Sequence, residues 1–192
     1  MPNLLKRIFV LPFLAAMLVA NSSAPVNYKL DQSNSLLSAK VPFFGLSSKT
    51  ATFPKMRGTA TIVGNDPSQA AIDVTFDSTA LTAPDTTTLK RLKSEKFFWT
   101  AKYPSIRFVG RSLKMSSATK GTMTGKLTAR GVTRDQTLNV TFDRDPLKAP
   151  STAAISFTAT AVIDRRKYGM KSFQLIVGNK VDIKLKARLV AQ

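Results

Sequence analysis

From Lys180 to Leu189 the chain alternates without a break: Val181, Ile183, Leu185, Ala187 and Leu189 are apolar, and Lys180, Asp182, Lys184, Lys186 and Arg188 between them are charged. Successive side chains of a strand point to opposite faces, so this stretch has one apolar face and one mostly cationic face. The same period of two recurs along the chain. It is carried by Leu37, Ala39, Val41 and Phe43; by Gly58, Ala60 and Ile62; by Ile72, Val74 and Phe76; by Ile106 and Phe108; by Met123, Gly125, Leu127 and Ala129; by Leu138, Val140 and Phe142; and by Ile155, Phe157, Ala159, Ala161 and Ile163. Threonines fill many intervening sites, which suits a pleated, solvated face. Turn residues separate the runs at Gly64-Asn65-Asp66-Pro67, Arg130-Gly131, Asp143-Arg144-Asp145-Pro146 and Gly178-Asn179. About eight antiparallel strands are predicted, each half-buried.

One segment departs from the pattern. From Thr86 to Phe98 the positions Leu89, Leu92, Phe97 and Phe98 fall near helical spacing, after Ala83-Pro84-Asp85-Thr86, in which Asp or Thr is a candidate N-cap. A short helix is predicted over 86–98, and a further helical turn at Asp164 to Tyr168, closed by Gly169. No repeat or linker divides residues 25–192, so they are predicted to form a single all-β domain. Eight such strands close as a barrel or stack as a sandwich. Small inward residues (Ala39, Gly58, Ala60, Gly125, Ala129, Ala159, Ala161, Ala187) favour a barrel with an internal apolar cavity, because a sandwich at ordinary density wants larger side chains. The competing reading is that Ala and Gly mark tight strand crossings.

Composition removes whole chemistries. With no Cys and no His, thiol and imidazole nucleophiles, zinc sites that use either ligand and haem ligation by either are excluded. No metal site is expected, and no catalytic residue is assigned. An enzyme would have to work with pairs such as Asp143 with Asp145 or Asp164 with Arg165, and aspartates at such positions read as turn caps. Lys6-Arg7, the apolar run from Ile8 to Val19 and the small residues up to Ala24 form a secretory leader, assigned to residues 1–22 with cleavage between 20 and 24. The chain carries +18, and removal of Lys6 and Arg7 leaves 27 basic against 11 acidic residues, or +16. Nucleic acid is a poor partner for that charge, since the aromatic residues fall mostly on the inward phase of their strands and the chain is exported. An anionic membrane surface is the better candidate.

Three stretches resemble the YceI family of periplasmic, lipocalin-like, polyisoprenoid-binding proteins. They are Gly125-Lys126-Leu127-Thr128-Ala129-Arg130-Gly131-Val132-Thr133-Arg134; Ala161 to Met170 followed by Val177-Gly178-Asn179-Lys180-Val181-Asp182-Ile183; and Leu92 to Phe98 followed by Tyr103-Pro104-Ser105-Ile106-Arg107-Phe108. The opening fits as well, with Tyr28, Leu30-Asp31 and Ser35. The departures are Asn34 and Phe43 where the family has His, and Thr88-Leu89-Lys90-Arg91 where it has Arg-Asp-x-His. A pocket tuned by His responds to pH near neutrality, and this one has none.

The resemblance implies an eight-stranded lipocalin-like barrel in the periplasm of a Gram-negative-type cell, which carries a polyisoprenoid or fatty-acyl amphiphile and catalyses nothing. No cofactor is implied beyond such a lipid, or an isoprenoid quinone. The expected lining is Leu37, Val41, Phe43, Phe53, Phe108, Leu127, Phe157, Ile183 and Leu185. Head-group candidates at the mouth are Lys90 and Arg91 on the helix, and Arg165 and Tyr168 on the C-terminal turn. Phe97, Phe98 and Trp99 either form a lid or pin the helix to the barrel. A homodimer is compatible with this reading. The competing function is a ligand-free structural or stress-protective protein of the periplasm that docks on anionic membranes.

Overall fold

The computed structural model describes residues 24–64 and 66–192; the expected leader lies outside them. The described residues form ten strands: β1 (Pro25–Leu30), β2 (Leu36–Phe43), β3 (Ser47–Phe53), β4 (Met56–Val63), β5 (Asp66–Asp77), β6 (Ser105–Met115), β7 (Lys120–Ala129), β8 (Val132–Phe142), β9 (Ile155–Asp164) and β10 (Lys180–Ala191). All pair antiparallel. From β4 to β10 each strand pairs with the next, and β10 returns to β1 through Leu189–Ala191 and to β2 through Asp182–Lys186. The ten runs therefore make one closed barrel of eight strands, because β1 with β2 and β3 with β4 are each one long strand broken midway.

Both breaks have local causes. Between β1 and β2 the Asp31 side chain caps a 3₁₀ turn at Gln32–Asn34, accepting from the Asn34 N–H at 3.3 Å. Ser35 Oγ donates to Asp31 O at 2.6 Å and accepts from Arg188 N at 3.1 Å, which carries the pairing with β10 across the break. Between β3 and β4 stand Pro54 and Lys55, where proline has no N–H to give a ladder. Beyond this break β3 does not pair with β5. The gap is bridged by the segment 78–104, attached to β3 through Thr52 and Thr82.

That segment holds α1 (Thr86–Lys93). Asp85 is its N-cap, accepting from the Thr88 N–H at 2.7 Å. That bond, joined by an ion pair with Lys49 of β3 at 2.9 Å, lowers its carboxyl to about 2. The helix is shorter than the predicted 86–98. Ser94 ends it, with both N–H and Oγ turned back to Arg91 O, and Phe97 and Phe98 are placed by turns. The expected C-terminal turn is present as a 3₁₀ helix at Arg165–Tyr168, capped by Asp164 and closed by Gly169 at φ +77°.

The interior is filled unevenly. At the end that carries the β4–β5 turn and the β8–β9 loop, Tyr28, Leu30, Leu113, Met123, Ile155 and Leu189 are buried and pack solidly. At the other end, that of the turns 44–46 and 130–131, α1 and the segment 165–179, the interior is open.

An apolar cavity closed at one end

The cavity occupies that open half, with a volume of about 150 Å³, about ten times what one water needs on the same measure. Leu37 and Val41 of β2, Phe53 of β3, Phe108 of β6, Leu127 of β7, Phe157 of β9 and Ile183 and Leu185 of β10 line it, which is eight of the nine residues expected there. Phe43 is not among them. Its strand runs past the rim, and the half-buried ring packs edge-on to Phe44 at 4.6 Å with Lys49 above it at 5.3 Å. The wall also includes Ile72, Val74 and Phe76 of β5, whose alternation is visible in the sequence, and Leu92, Met170 and Val177 from non-strand segments, which no period of two marks. Its polar members are confined to Lys49, Thr50, Gln136 and Arg165.

Small wall residues divide into two kinds. Ala39, Ala129, Ala159 and Ala161 face the cavity. Gly58 and Gly125 instead mark close strand approach: a Cβ at Gly125 would lie 2.4 Å from Val109 O. Both readings of the small residues therefore apply, at different positions.

The roof is aromatic. Phe98 packs edge-on to Phe53 at 5.5 Å and Phe97 stacks on Phe173 at 6.0 Å, so these two rings both cover the cavity and pin the segment after α1. Trp99 sits apart from the lining, against Tyr103 and beneath Lys102 and Arg130.

The four expected head-group residues are not brought together. Lys90 is exposed on α1, and Arg91 lies over the Phe173 ring at 5.4 Å. Arg165 is 2% exposed, and four of its five N–H groups donate to backbone carbonyls: Nε to Gly178 at 2.9 Å, Nη1 to Met170 at 2.6 Å and Ser172 at 2.8 Å, and Nη2 to Val177 at 2.9 Å. Burial lowers the guanidinium pKa, opposed by the Asp164 charge. Its first role is to hold the segment 170–178 over the cavity. Tyr168 is buried, its hydroxyl pKa raised by that burial, and it faces a different space.

That space is a polar cleft of about 360 Å³ beside the cavity. Strands β8 and β9 pair only from Asn139 to Phe142 against Thr160 to Phe157, and beyond those four pairs they splay. Arg134, Asp135 and Gln136 line one side of the splay, and Val162, Ile163, Asp164, Lys167, Tyr168 and Lys180 the other. Gln136 and Ile163 line both the cleft and the cavity, so the two spaces adjoin at these side chains. Asp135 is paired with Lys126. Arg166 holds Asp164 through Nε at 3.0 Å and Nη2 at 2.6 Å, and this keeps the carboxyl well below the usual carboxylate range. Arg134, Lys167 and Lys180 are the remaining charges facing the cleft.

Comparison with known proteins agrees with this architecture. Residues 28–189 match the family model of the YceI-like domain. Protein YceI of Escherichia coli O6:H1 is 31% identical over 135 residues, which are 69% of this chain and 70% of that protein. A UPF0312 protein of Pseudomonas putida GB-1 is 26% identical over 158 residues, covering 81% and 82%. Among solved structures, Burkholderia cenocepacia BcnA superposes with a TM-score of 0.73 at 21% identity, over 83% of this chain and 98% of that one. A polyisoprenoid binding domain from Saccharophagus degradans does so with a TM-score of 0.62 at 15% identity, over 86% and 98%. The last two are likenesses of fold, and the domain match with the sequence relatives carries the assignment: the chain belongs to the YceI-like domain family.

Proposed function

We propose that this protein is a non-enzymatic carrier, exported to the periplasm, that holds the chain of a polyisoprenoid or fatty-acyl amphiphile inside its barrel. One observation carries the reading: an apolar cavity closed by packed side chains at one end, with its few polar wall residues kept away from that end. The description of the Saccharophagus degradans domain as polyisoprenoid-binding supports the same ligand class. Each methylene moved from water into such a wall contributes about 0.8 kcal/mol. Ten of them give about 8 kcal/mol, which lies within the roughly 4–15 kcal/mol that association costs. Useful affinity therefore needs a longer chain, a favourable head-group contact, or both.

The cleft is where the head group belongs in this reading, with the splay of β8 from β9 acting as a side door to the cavity. Arg134, Lys167 and Lys180 offer charged donors to a phosphate or carboxylate, whereas Lys90 and Arg91 do not face the cleft.

A length series of linear prenyl alcohols, titrated into delipidated protein, tests the proposal. Affinity should rise steeply with each added isoprene unit, by about fourfold for each further carbon that enters the wall, and level off when the chain reaches the packed end. Affinity independent of length would overturn it.

A further inference from the structure

The open end of the barrel presents apolar side chains to solvent. Leu175 is 100% exposed, Leu46 96% and Phe44 59%. They stand on two loops, the β2–β3 turn and the segment 165–179, that are fastened to each other. Phe44 N donates to Ile176 O at 2.8 Å, and Gly178 N donates to Pro42 O at 2.8 Å. Ile176 N and Val177 N both return to Phe173 O, which closes a tight turn under Leu175. Arg165 ties both ends of this segment from below. The leucines are thus held outward by a hydrogen-bonded frame.

Cations flank the Leu175 loop, and Lys49 stands over Phe43 beside the other. Arg91 and Lys96 lie over the Phe173 ring at 5.4 and 5.5 Å, and Lys171 belongs to the same loop. The nearby carboxylates are Glu95 and Asp85, of which Asp85 is bound to Lys49. Apolar side chains flanked by basic ones match a bilayer interface, where the former reach the acyl boundary and the latter meet anionic head groups.

We propose that this tip, formed by Phe44, Leu46 and Leu175 and flanked by Arg91, Lys96 and Lys171, docks the protein on anionic phospholipid bilayers. A second copy of the chain fits the tip badly. Two tips face to face would oppose their flanking cations, and three side chains fall far short of the roughly 800 Å² per partner that a stable dimer buries. Val41, on β2 just before the turn, and Val177, on the segment 165–179, line the cavity, so a docked tip sets the open end against the membrane. Docking goes beyond the carrier reading and does not depend on it, since an empty barrel has the same tip.

The test is flotation of the purified protein with phosphatidylcholine vesicles, with and without phosphatidylglycerol, alongside Leu46→Asp/Leu175→Asp and Lys96→Gln/Lys171→Gln variants. Both leucines are solvent-exposed, and an unchanged thermal melt confirms that the variants fold. The parent should float with anionic vesicles only. The leucine variant should lose at least tenfold in partitioning, and the lysine variant should bind more weakly with a smaller dependence on salt. Equal recovery of the parent and the leucine variant would overturn the proposal by leaving net charge as the whole attraction. A concentration-dependent dimer that needs Leu46 and Leu175 and ignores vesicles would overturn it in favour of a second copy. Native mass spectrometry of the leucine variant keeps the two proposals separable, because its lipid load should equal that of the parent.

Discussion

Replacing Ala159 by Phe separates the two meanings that a small inward residue has in this barrel. Ala159 is buried, lines the cavity, and stands in register between Val140 of β8 and Leu185 of β10. A phenyl ring there adds about six carbons to the wall, which at about 0.8 kcal/mol per carbon displaces about 5 kcal/mol of ligand contact. Affinity for a long prenyl alcohol should fall by about a thousandfold or more. The ring also fills space that the folded protein leaves open, so stability in urea should stay within about 1 kcal/mol of the parent or rise. Gly125→Ala is the control. Its new Cβ would meet Val109 O at 2.4 Å and the Gly110 Cα at 2.7 Å, and it should cost about 1–3 kcal/mol. Urea melts paired with lipid titrations read both quantities. The reasoning is refuted if Ala159→Phe costs more than about 2 kcal/mol and leaves affinity unchanged, for then the alanines mark crowding and not room.

Arg165→Met should cost about 2–4 kcal/mol in urea, because it strands the buried carbonyls of Met170 and Val177, and amide exchange across 170–178 should quicken with it; unchanged exchange would contradict the tethering role. Arg134→Gln/Lys167→Gln/Lys180→Gln should weaken binding of a prenyl phosphate about tenfold while sparing the matching alcohol; equal loss for both would remove the head group from the cleft. Asp85 has its carboxyl lowered to about 2 from an ordinary 3.8, so the folded state binds fewer protons there than the unfolded one. Its stabilisation is complete above about pH 4 and is lost as pH falls towards 2, which Asp85→Ala should abolish in melts recorded across that window. With no His in the chain, affinity for a prenyl alcohol, which does not itself titrate in this range, should change little between pH 5 and 8; a steep step for the alcohol would contradict the assignment of the ligand contacts.

The barrel was legible because alternation is a local property. Every apolar position from Val181 to Leu189 faces inward as the period requires, and seven of the expected wall residues follow from the same rule; Phe43 follows it too and lies outside the wall, while Phe53 lines the wall without having been marked by it. What the period cannot see is long-range pairing. Alternation marks only Leu138, Val140 and Phe142, whereas β8 runs from Val132; that Asn139–Phe142 alone find partners on β9, which leaves the cleft, is a matter of long-range pairing. Phe97 and Phe98 sit at helical spacing but are placed by bonds of the turn after α1, such as Phe98 N to Leu92 O and Thr100 N to Lys93 O. Arg165 looked like one cation among several at a mouth. Its burial depends on carbonyls 5 to 13 residues further on, a loop geometry that composition does not encode.

Native mass spectrometry of the protein isolated from the cells that make it tests the central claim most directly. The account predicts an apolar adduct of lipid mass that organic extraction removes and that Ala159→Phe protein lacks. A barrel recovered empty, with no mass difference between parent and Ala159→Phe beyond the substitution itself, would contradict it.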